Sequence, residues 1–558
     1  MRKNDLADLY TAEGVALTGQ PWNVYPRPAL RRDSFFCLNG EWEFYANGVT
    51  KETILVPFAP ESLLSGIHRS MGKVPRLTYK KEFTLPSGFV QGRVLLHFGA
   101  VDQIAEVTLN GAELGRHIGG YTPFTFDITE HLQGTNLLEV RVTDRLSDKL
   151  LPYGKQCQKR GGMWYTPVSG IWQTVWIESV PEHYVHALQI ETGADYAILT
   201  AEGVTDGEVM LDGKVYPLTD GKAHIRLEAP HMWSPEDPYL YRFTLTAGED
   251  RVDSYFALRT LETKVIDGIP RLCLNGSPYF FHGLLDQGYF SDGIFTPATA
   301  KGYENDILAM KALGFNTLRK HIKLEPQQFY YDCDRLGMIV FQDMVNNGGY
   351  SFLRDTALPT VGLQKLCDKW LHPNKRSRKA FIETMEETVH LLQNHPSVCY
   401  WTIFNEGWGQ FASAGMYERL RALDSTRFID TTSGWFRGAP SDVESLHVYF
   451  KPFRMRTSDK PLVLSEFGGY AHKVEGHVFN RSNTYGYRFF AKQEDFANAL
   501  EKLYCDEIIP AAKERLCAAI YTQVSDVEDE TNGLLTYDRR FAKVDAARMT
   551  KIAEKLKL

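Results

Sequence analysis

The sequence predicts a multidomain β plus α/β chain: an N-terminal jelly-roll-like β-sandwich, then an immunoglobulin-like β-sandwich, then a C-terminal (β/α)8 (TIM) barrel. Three observations predict it. Residues 1–180 alternate apolar and polar side chains in short runs broken by Asn-Gly and Gly-Gly. Residues 181–268 continue in the same all-β style, with Asp-Gly turns. From 269 to 558, short apolar runs alternate with segments whose apolar residues recur at helical spacing. A period of two marks half-buried strands, a period of 3.6 marks helices, and the alternation of both marks a parallel sheet.

In the first domain the strand runs are Gly40-Glu-Trp-Glu-Phe-Tyr45, Arg93-Val-Leu-Leu-His-Phe98, Ala105-Glu-Val-Thr-Leu109 and Asn136-Leu-Leu-Glu-Val-Arg-Val142. Asn110-Gly111 closes a hairpin, because both residues tolerate the positive φ of a two-residue turn. In the second, Tyr184–Glu191, Glu208–Leu211, Ala223–Leu227 and Tyr241–Thr246 are strands, with Asp212-Gly213 and Asp220-Gly221 as turns. A domain of this length with such strands fits an immunoglobulin-like sandwich serving as a spacer. In the third, Thr299–Leu313 reads as a helix ending at Gly314, Phe315–Arg319 as a strand, Pro326–Leu336 as a helix and Met338–Phe341 as a strand. Phe381–Gln393, Ala412–Leu423 and Asp495–Cys505 supply further helices. The segment is long enough for a barrel of about 250 residues.

At 558 residues the chain exceeds a single core, and its 43% hydrophobic and 23% charged residues are those of a globular protein. The net charge of -7 argues against nucleic acid or an anionic membrane surface as a general partner. No run approaches the roughly 20 apolar residues of a membrane span, and Met1-Arg-Lys-Asn-Asp-Leu lacks a signal-peptide core. The eight cysteines (37, 157, 273, 333, 367, 399, 505, 517) are scattered without a C-x-x-C pair. They read as small core residues of a reducing compartment, so a cytoplasmic location is expected.

The chemistry is carried by two glutamates. Glu406 follows the apolar run Cys399–Phe404 in Trp401-Thr-Ile-Phe-Asn-Glu406-Gly, and Glu466 follows Pro461–Leu464 in Val463-Leu-Ser-Glu466-Phe-Gly-Gly. Each stands at the C-terminal end of a strand buried on both faces, the rim where barrel enzymes keep their reacting groups. Two carboxyls on different strands meet the requirement of retaining glycoside hydrolysis: one protonates the leaving oxygen while the other attacks the sugar carbon, across about 5 Å.

The order of domains and motifs resembles glycoside hydrolase family 2, which holds β-galactosidases, β-glucuronidases and β-mannosidases. The resemblance rests on Ser34-Phe-Phe-Cys-Leu-Asn-Gly-Glu-Trp42, Asn110-Gly111, Gly119-Gly-Tyr-Thr-Pro-Phe124 with Asp127-Ile-Thr129, and Ser169-Gly-Ile-Trp-Gln-Thr-Val-Trp176 in the sandwich. In the barrel it rests on Asn394-His-Pro-Ser397, Asn405-Glu406 and Glu466. It covers nearly the whole chain. It implies that Glu406 is the general acid/base, which must stay protonated until needed, and Glu466 the nucleophile, which must stay ionised.

The other expected substrate-binding residues also lie at barrel-strand ends. Asn405 is expected to bond the sugar 2-hydroxyl, Asp286 to accept from hydroxyls or form a turn, and Arg319 and His321 to orient Glu466 or the ring. Asp343 ends the strand Ile339-Val-Phe-Gln. His447 and Tyr449 lie in Ser445-Leu-His-Val-Tyr449, where the family places a tyrosine near its nucleophile. Trp435, Trp408 and Trp164 are candidate stacking platforms, whereas Trp401 lies inside its strand and reads as core. Gln523 ends the last strand, Ala518–Gln523, ahead of the acidic loop Val524–Gly533, which reads as a solvated loop. No metal and no cofactor are expected, because no ligand spacing is defined.

The resemblance has departures. The Asn-x-Lys that glucuronidases use to grip a carboxylate is absent after Gln523, where Tyr537-Asp-Arg-Arg540-Phe-Ala-Lys543 stands. Lys451, Arg454 and Arg456 offer another route to a carboxylate. The expected activity is therefore an exo-acting retaining β-glycosidase, β-galactosidase-like first, with a β-glucuronidase or other uronide-specific enzyme as the alternative. The insert Asn346–Arg378 reads as a wall round a pocket. A non-catalytic carbohydrate-binding protein is the reading from another class. The expected partner is an oligosaccharide or glycoside, and family analogy adds a possible homo-oligomer.

Overall fold

The computed structural model describes residues 5–558 except 49, 361, 362, 364–367, 369, 370, 373 and 437. The expected cysteine at 367 and part of the 346–378 insert thus lie outside the described residues.

The N-terminal domain packs a four-stranded sheet against a six-stranded one over a core that includes Trp42, Phe44, Tyr79, Val107 and Ile177. Its Asn110-Gly111 turn has φ of 53° and 85° and joins Ile104–Leu109 to Ala112–Ile118, as the sequence predicts. The second domain holds a three-stranded and a four-stranded antiparallel sheet, seven strands in all, the number of an immunoglobulin constant-type sandwich. Strands Tyr196–Glu202, Lys214–Leu218 and Asp250–Phe256 were not among the expected ones. The hairpin Leu261–Ile266/Ile269–Leu274 straddles the expected 268/269 boundary, and its Leu272 and Leu274 join the core of the barrel interior.

Eight parallel strands form the barrel: β1 (Phe281–Asp286), β2 (Thr317–Lys320), β3 (Ile339–Asp343), β4 (Val398–Asn405), β5 (Phe428–Ser433), β6 (Glu444–Val448), β7 (Leu462–Gly468) and β8 (Leu516–Thr522). Their order is β5-β4-β3-β2-β1-β8-β7-β6. No ladder joins β5 to β6 among the described residues; side chains bridge that seam, with the Ser433 hydroxyl 3.3 Å from that of Ser445 and 3.1 Å from His447 Nε2. Helices cover the connections after β1, β2, β3, β4, β7 and β8. The connections after β5 and β6 carry none among the described residues, a departure from the expected eightfold repeat. Residues 434–443 are too few for a helix of ordinary length plus its two turns.

The domains are locked together. Asn394, in the Asn-His-Pro-Ser segment, accepts from Ile190 N at 2.9 Å and donates to Leu188 O at 2.6 Å, which docks the barrel on the second domain. From the first domain, the long loop between Asn136–Thr143 and Gly170–Ile171 crosses to the barrel mouth. It is anchored at Gln156, whose Nε2 donates to Asp102 at 2.8 Å, and at Ser169, which donates to Glu61 from its backbone N and hydroxyl.

Candidate active site

Glu406 leaves the end of β4 in a left-handed conformation, φ 52°. That backbone is uncommon for a side-chain-bearing residue and is held here by its own N–H, which donates to Ser433 O at 3.0 Å. Gly407 follows at φ 75°, and a Cβ there would meet Phe436 at 2.1 Å, so only glycine fits. The carboxyl of Glu406 is the more open of the pair, 16% exposed against 6% for Glu466. Glu466 sits where β7 loses register with β8 between Leu464 and Phe467, opposite a similar irregularity between Leu446 and His447 in β6. Such bulges re-aim one side chain, and they flank active sites for that reason.

Between the two glutamates stands His447. Its Nδ1 is 2.7 Å from Glu406 Oε1 and 3.5 Å from Glu466 Oε2, and one carboxylate oxygen of each glutamate lies within 4.8 Å of the other. That closeness fits the nucleophile-and-acid pair of a retaining enzyme better than the wider spacing of an inverting pair.

One guanidinium organises the floor. Arg319, at 1% exposure, donates Nε to Asp343 at 2.9 Å, Nη1 to Glu466 Oε1 at 3.1 Å and to Ser465 O at 3.0 Å, and Nη2 to Asn405 Oδ1 at 2.9 Å. It ties β2 to β3, β4 and β7 through a planar fork that lysine could not reproduce. His321 Nδ1 meets the other oxygen of Asp343 at 2.7 Å. Tyr449 donates to Glu466 Oε2 at 2.5 Å and sits 2.9 Å from Thr522 Oγ1, its ring stacked on Tyr487 at 3.8 Å.

Electrostatics follow from these contacts. Burial pushes the Glu466 carboxyl up, but His447, Arg319, His321 and the Tyr449 hydroxyl together hold it down at about 2. Burial likewise works against the Asp343 charge, and Arg319 and His321 keep that carboxyl below its ordinary value. Burial lowers His321 despite its contact with Asp343. Glu466 is therefore ionised throughout the physiological range.

The structure thus brings Glu406, Glu466, Asn405, Arg319, His321, Asp343, His447 and Tyr449 into one hydrogen-bonded constellation. Trp435 stands edge-on to His447 at 6.4 Å, half-buried. Trp408 is buried, with its Nε1 on Gly348 O at 3.3 Å, and packs edge-on against Trp164 at 5.1 Å, so it forms wall rather than open platform. Trp401 is core, bonded to Asp424 at 2.8 Å. Asp286 ends β1 and pairs with Lys320 at 2.6 Å, which also reaches Glu325 at 2.9 Å. Gln523 is enclosed, giving Nε2 to Glu530 and Asn532, each at 2.8 Å, and accepting from Gln287. Lys451, Arg454 and Arg456 are exposed.

The acidic loop is a correction. Val524–Gly533 is buried throughout and not solvated. Arg160, from the sandwich domain, pairs with Asp529 at 2.8 Å and Glu528 at 3.3 Å, Thr166 N donates to Glu528 at 2.8 Å, and Lys543 pairs with Asp526 at 2.6 Å. Each acid has found a partner, and burial follows from that pairing. Lys155, Arg160, Tyr350, Tyr485 and Tyr487 complete the surroundings and were missed, because nothing in their local spacing marks them. Burial, with Glu406 among the charges that add to it, pushes the Tyr350 and Tyr485 hydroxyls up to about 12.

Comparison with known proteins agrees with this architecture. Residues 270–544 match the family described as "Glycosyl hydrolases family 2, TIM barrel domain", residues 69–213 the galactose-binding domain-like region of glycosyl hydrolase 2, and residues 189–259 "Glycosyl hydrolases family 2". The chain belongs to glycoside hydrolase family 2, and is thereby a retaining O-glycosyl hydrolase. A β-glucuronidase of Felis catus is 25% identical, over 83% of this chain and 81% of its own. A β-galactosidase of Thermoanaerobacter pseudethanolicus is 26% identical, over 58% of this chain and 44% of its own. Among solved structures, a β-D-glucuronidase of Dictyoglomus thermophilum shares the fold with a TM-score of 0.73 at 19% identity, covering 95% of this chain and 99% of that one. A β-galacturonidase of Eisenbergiella tayi shares it with a TM-score of 0.68 at 19% identity, covering 96% and 98%.

Proposed function

We propose that this protein releases a terminal β-linked sugar by double displacement, with Glu466 as nucleophile and Glu406 as acid/base. The observation that carries the reading is the pair of carboxylates within 4.8 Å of one another across His447, at strand ends of one barrel. Glu466, held ionised at about 2, attacks the anomeric carbon while Glu406 gives its proton to the leaving oxygen. The glycosyl ester removes the Glu466 charge, and Glu406 then takes a proton from the incoming water, which opens the ester.

Arg319 and Tyr449 fix the two oxygens of the nucleophile, and Asp343 and His321 fix Arg319. Asn405, its Oδ1 taken by Arg319, has Nδ2 left to donate to the 2-hydroxyl. Trp435 serves as the sugar platform. Asp286 and Gln523 act through their neighbours rather than by touching sugar. The sandwich loop clamped to the buried acidic loop closes one side of the mouth, which supports exo action on chain ends. The sugar expected first from the sequence is a galactoside; relatives named β-glucuronidase and β-galacturonidase support a β-hexuronide instead, and that is the sugar taken as substrate. The seven described cysteines are free, which supports a reducing, cytoplasmic setting.

The test is a panel of p-nitrophenyl β- and α-glycosides with Glu406→Gln and Glu466→Ala alongside. Turnover of a β-glycoside lost in both variants supports the assignment. Turnover that survives Glu466→Ala overturns it.

A further inference from the structure

Almost every cation at the barrel mouth is spent on a protein carboxylate. Arg319 holds Asp343 and Glu466, Lys320 and Lys323 hold Glu325, Lys543 holds Asp526, and Arg160 holds Asp529. Lys155 differs. Among the described residues its ammonium enters no ion pair and no hydrogen bond, although the residue is only half exposed.

Its backbone is nevertheless fixed. The Lys155 carbonyl accepts from Tyr165 N at 3.1 Å, and the next residue, Gln156, is anchored on Asp102 and accepts from Val168 N at 2.8 Å. Its Nζ stands 5.9 Å from the centroid of Trp164, which packs on Trp408, two residues after Glu406. The charge is felt on both sides of the mouth. Beyond the dominant effect of burial, it lowers His321, next to the nucleophile, and opposes the burial that pushes Glu530, after β8, up to about 7. An ammonium held by its backbone beside Trp164, half-buried and with no carboxylate at ion-pair distance among the described residues, can take an anion from a ligand.

We propose that Lys155 is the residue that selects the substrate, and that it receives the carboxylate of a β-linked hexuronide. The proposal rests on the reading of Glu406 and Glu466 as the reacting pair. A compact ammonium suits a carboxylate as a point charge, whereas the hydroxymethyl of a neutral hexose would leave that charge uncompensated. Recognition by the sandwich loop also suits a barrel whose buried cations at the mouth, Lys543 included, are already paired with carboxylates.

The experiment compares wild type, Lys155→Met and Lys155→Arg on p-nitrophenyl β-D-glucuronide, β-D-galacturonide, β-D-galactoside and β-D-glucoside. Wild type is expected to favour a uronide over its neutral counterpart. Lys155→Met is expected to lose ~10- to 100-fold in kcat/KM on that uronide, chiefly through KM, while neutral glycosides change less than about threefold and Lys155→Arg recovers part of the loss. A thermal melt of wild type with free glucuronate, galacturonate or galactose gives a second reading that needs no variant: a uronate is expected to raise the midpoint and galactose not. A preference for neutral glycosides, an equal loss on charged and neutral substrates, or stabilisation by galactose alone overturns the proposal. In each of those cases hydrolysis persists and the catalytic pair stands. Absence of turnover on every glycoside, with wild type folded, overturns both.

Discussion

Replacing Tyr449 by phenylalanine removes one hydroxyl and leaves the ring stacked on Tyr487, so the shape of the site is kept. Two contacts are lost, the 2.5 Å bond to Glu466 Oε2 and the 2.9 Å contact with Thr522. A hydrogen bond to a charged group is worth about 1.5–3 kcal/mol, a neutral one about 1. The stability cost is therefore expected near the lower figure, because Thr522 and the carboxylate remain within reach of water from the mouth. The catalytic cost is larger. Arg319 secures only Oε1 of the nucleophile, and without the phenol the carboxylate rotates away from its line of attack. We expect kcat/KM to fall ~10- to 100-fold, which is about 1.4–2.8 kcal/mol of barrel-mouth alignment. The same hydroxyl helps hold Glu466 at about 2, so its loss moves the acid limb of the pH profile upward. The assay is kcat/KM against pH on an aryl β-glycoside, with a thermal melt as control. A loss under about threefold with an unmoved acid limb would refute the idea that Tyr449 aligns the nucleophile.

Three further outcomes are expected. Glu406→Gln should cost far more with a poor leaving group such as methanol than with dinitrophenolate, which needs no proton, and added azide should restore turnover of the latter as a glycosyl azide; equal losses on both would exclude Glu406 as the acid. Burial pushes Glu61 to about 8 from 4.5, so the folded state keeps a proton that the unfolded chain has released. Stability from this group is full below 4.5 and is lost as pH rises toward 8, and Glu61→Gln should flatten that decline in urea midpoints; an unchanged slope refutes it. Chelation should leave turnover unchanged, whereas zinc should inhibit competitively by taking Glu406, His447 and Glu466, whose ligand atoms lie within 4.8 Å of one another; zinc without effect would place those atoms differently.

The barrel was legible because its strands are apolar runs ended by polar residues, and both glutamates stand where such runs stop. Helix ends were less so: Lys375–Leu392 begins six residues before the expected Phe381, because Asn374 caps it by accepting from the N–H groups of Arg376 and Ser377, a local signal the apolar spacing obscured. Arg319, His447 and Tyr449 could be nominated from their strand ends, but not their shared network, since register irregularities in β6 and β7 aim two of its members. Lys155 and Arg160 were illegible for a different reason. They lie in coil without periodicity, and Arg160 meets Glu528 368 residues away. The acidic loop misled because seven polar residues in ten look solvated until their partners, on distant segments, are known.

The central claim, that Glu466 is the nucleophile, is tested most directly by trapping. A 2-deoxy-2-fluoro β-glycoside of the sugar that the enzyme turns over, carrying dinitrophenolate, should form the ester and release it slowly. Mass spectrometry after proteolysis is predicted to find one fluorosugar, on the carboxyl of Glu466, and none on Glu466→Ala. A label on another residue, or labelling that persists in Glu466→Ala, would contradict the account.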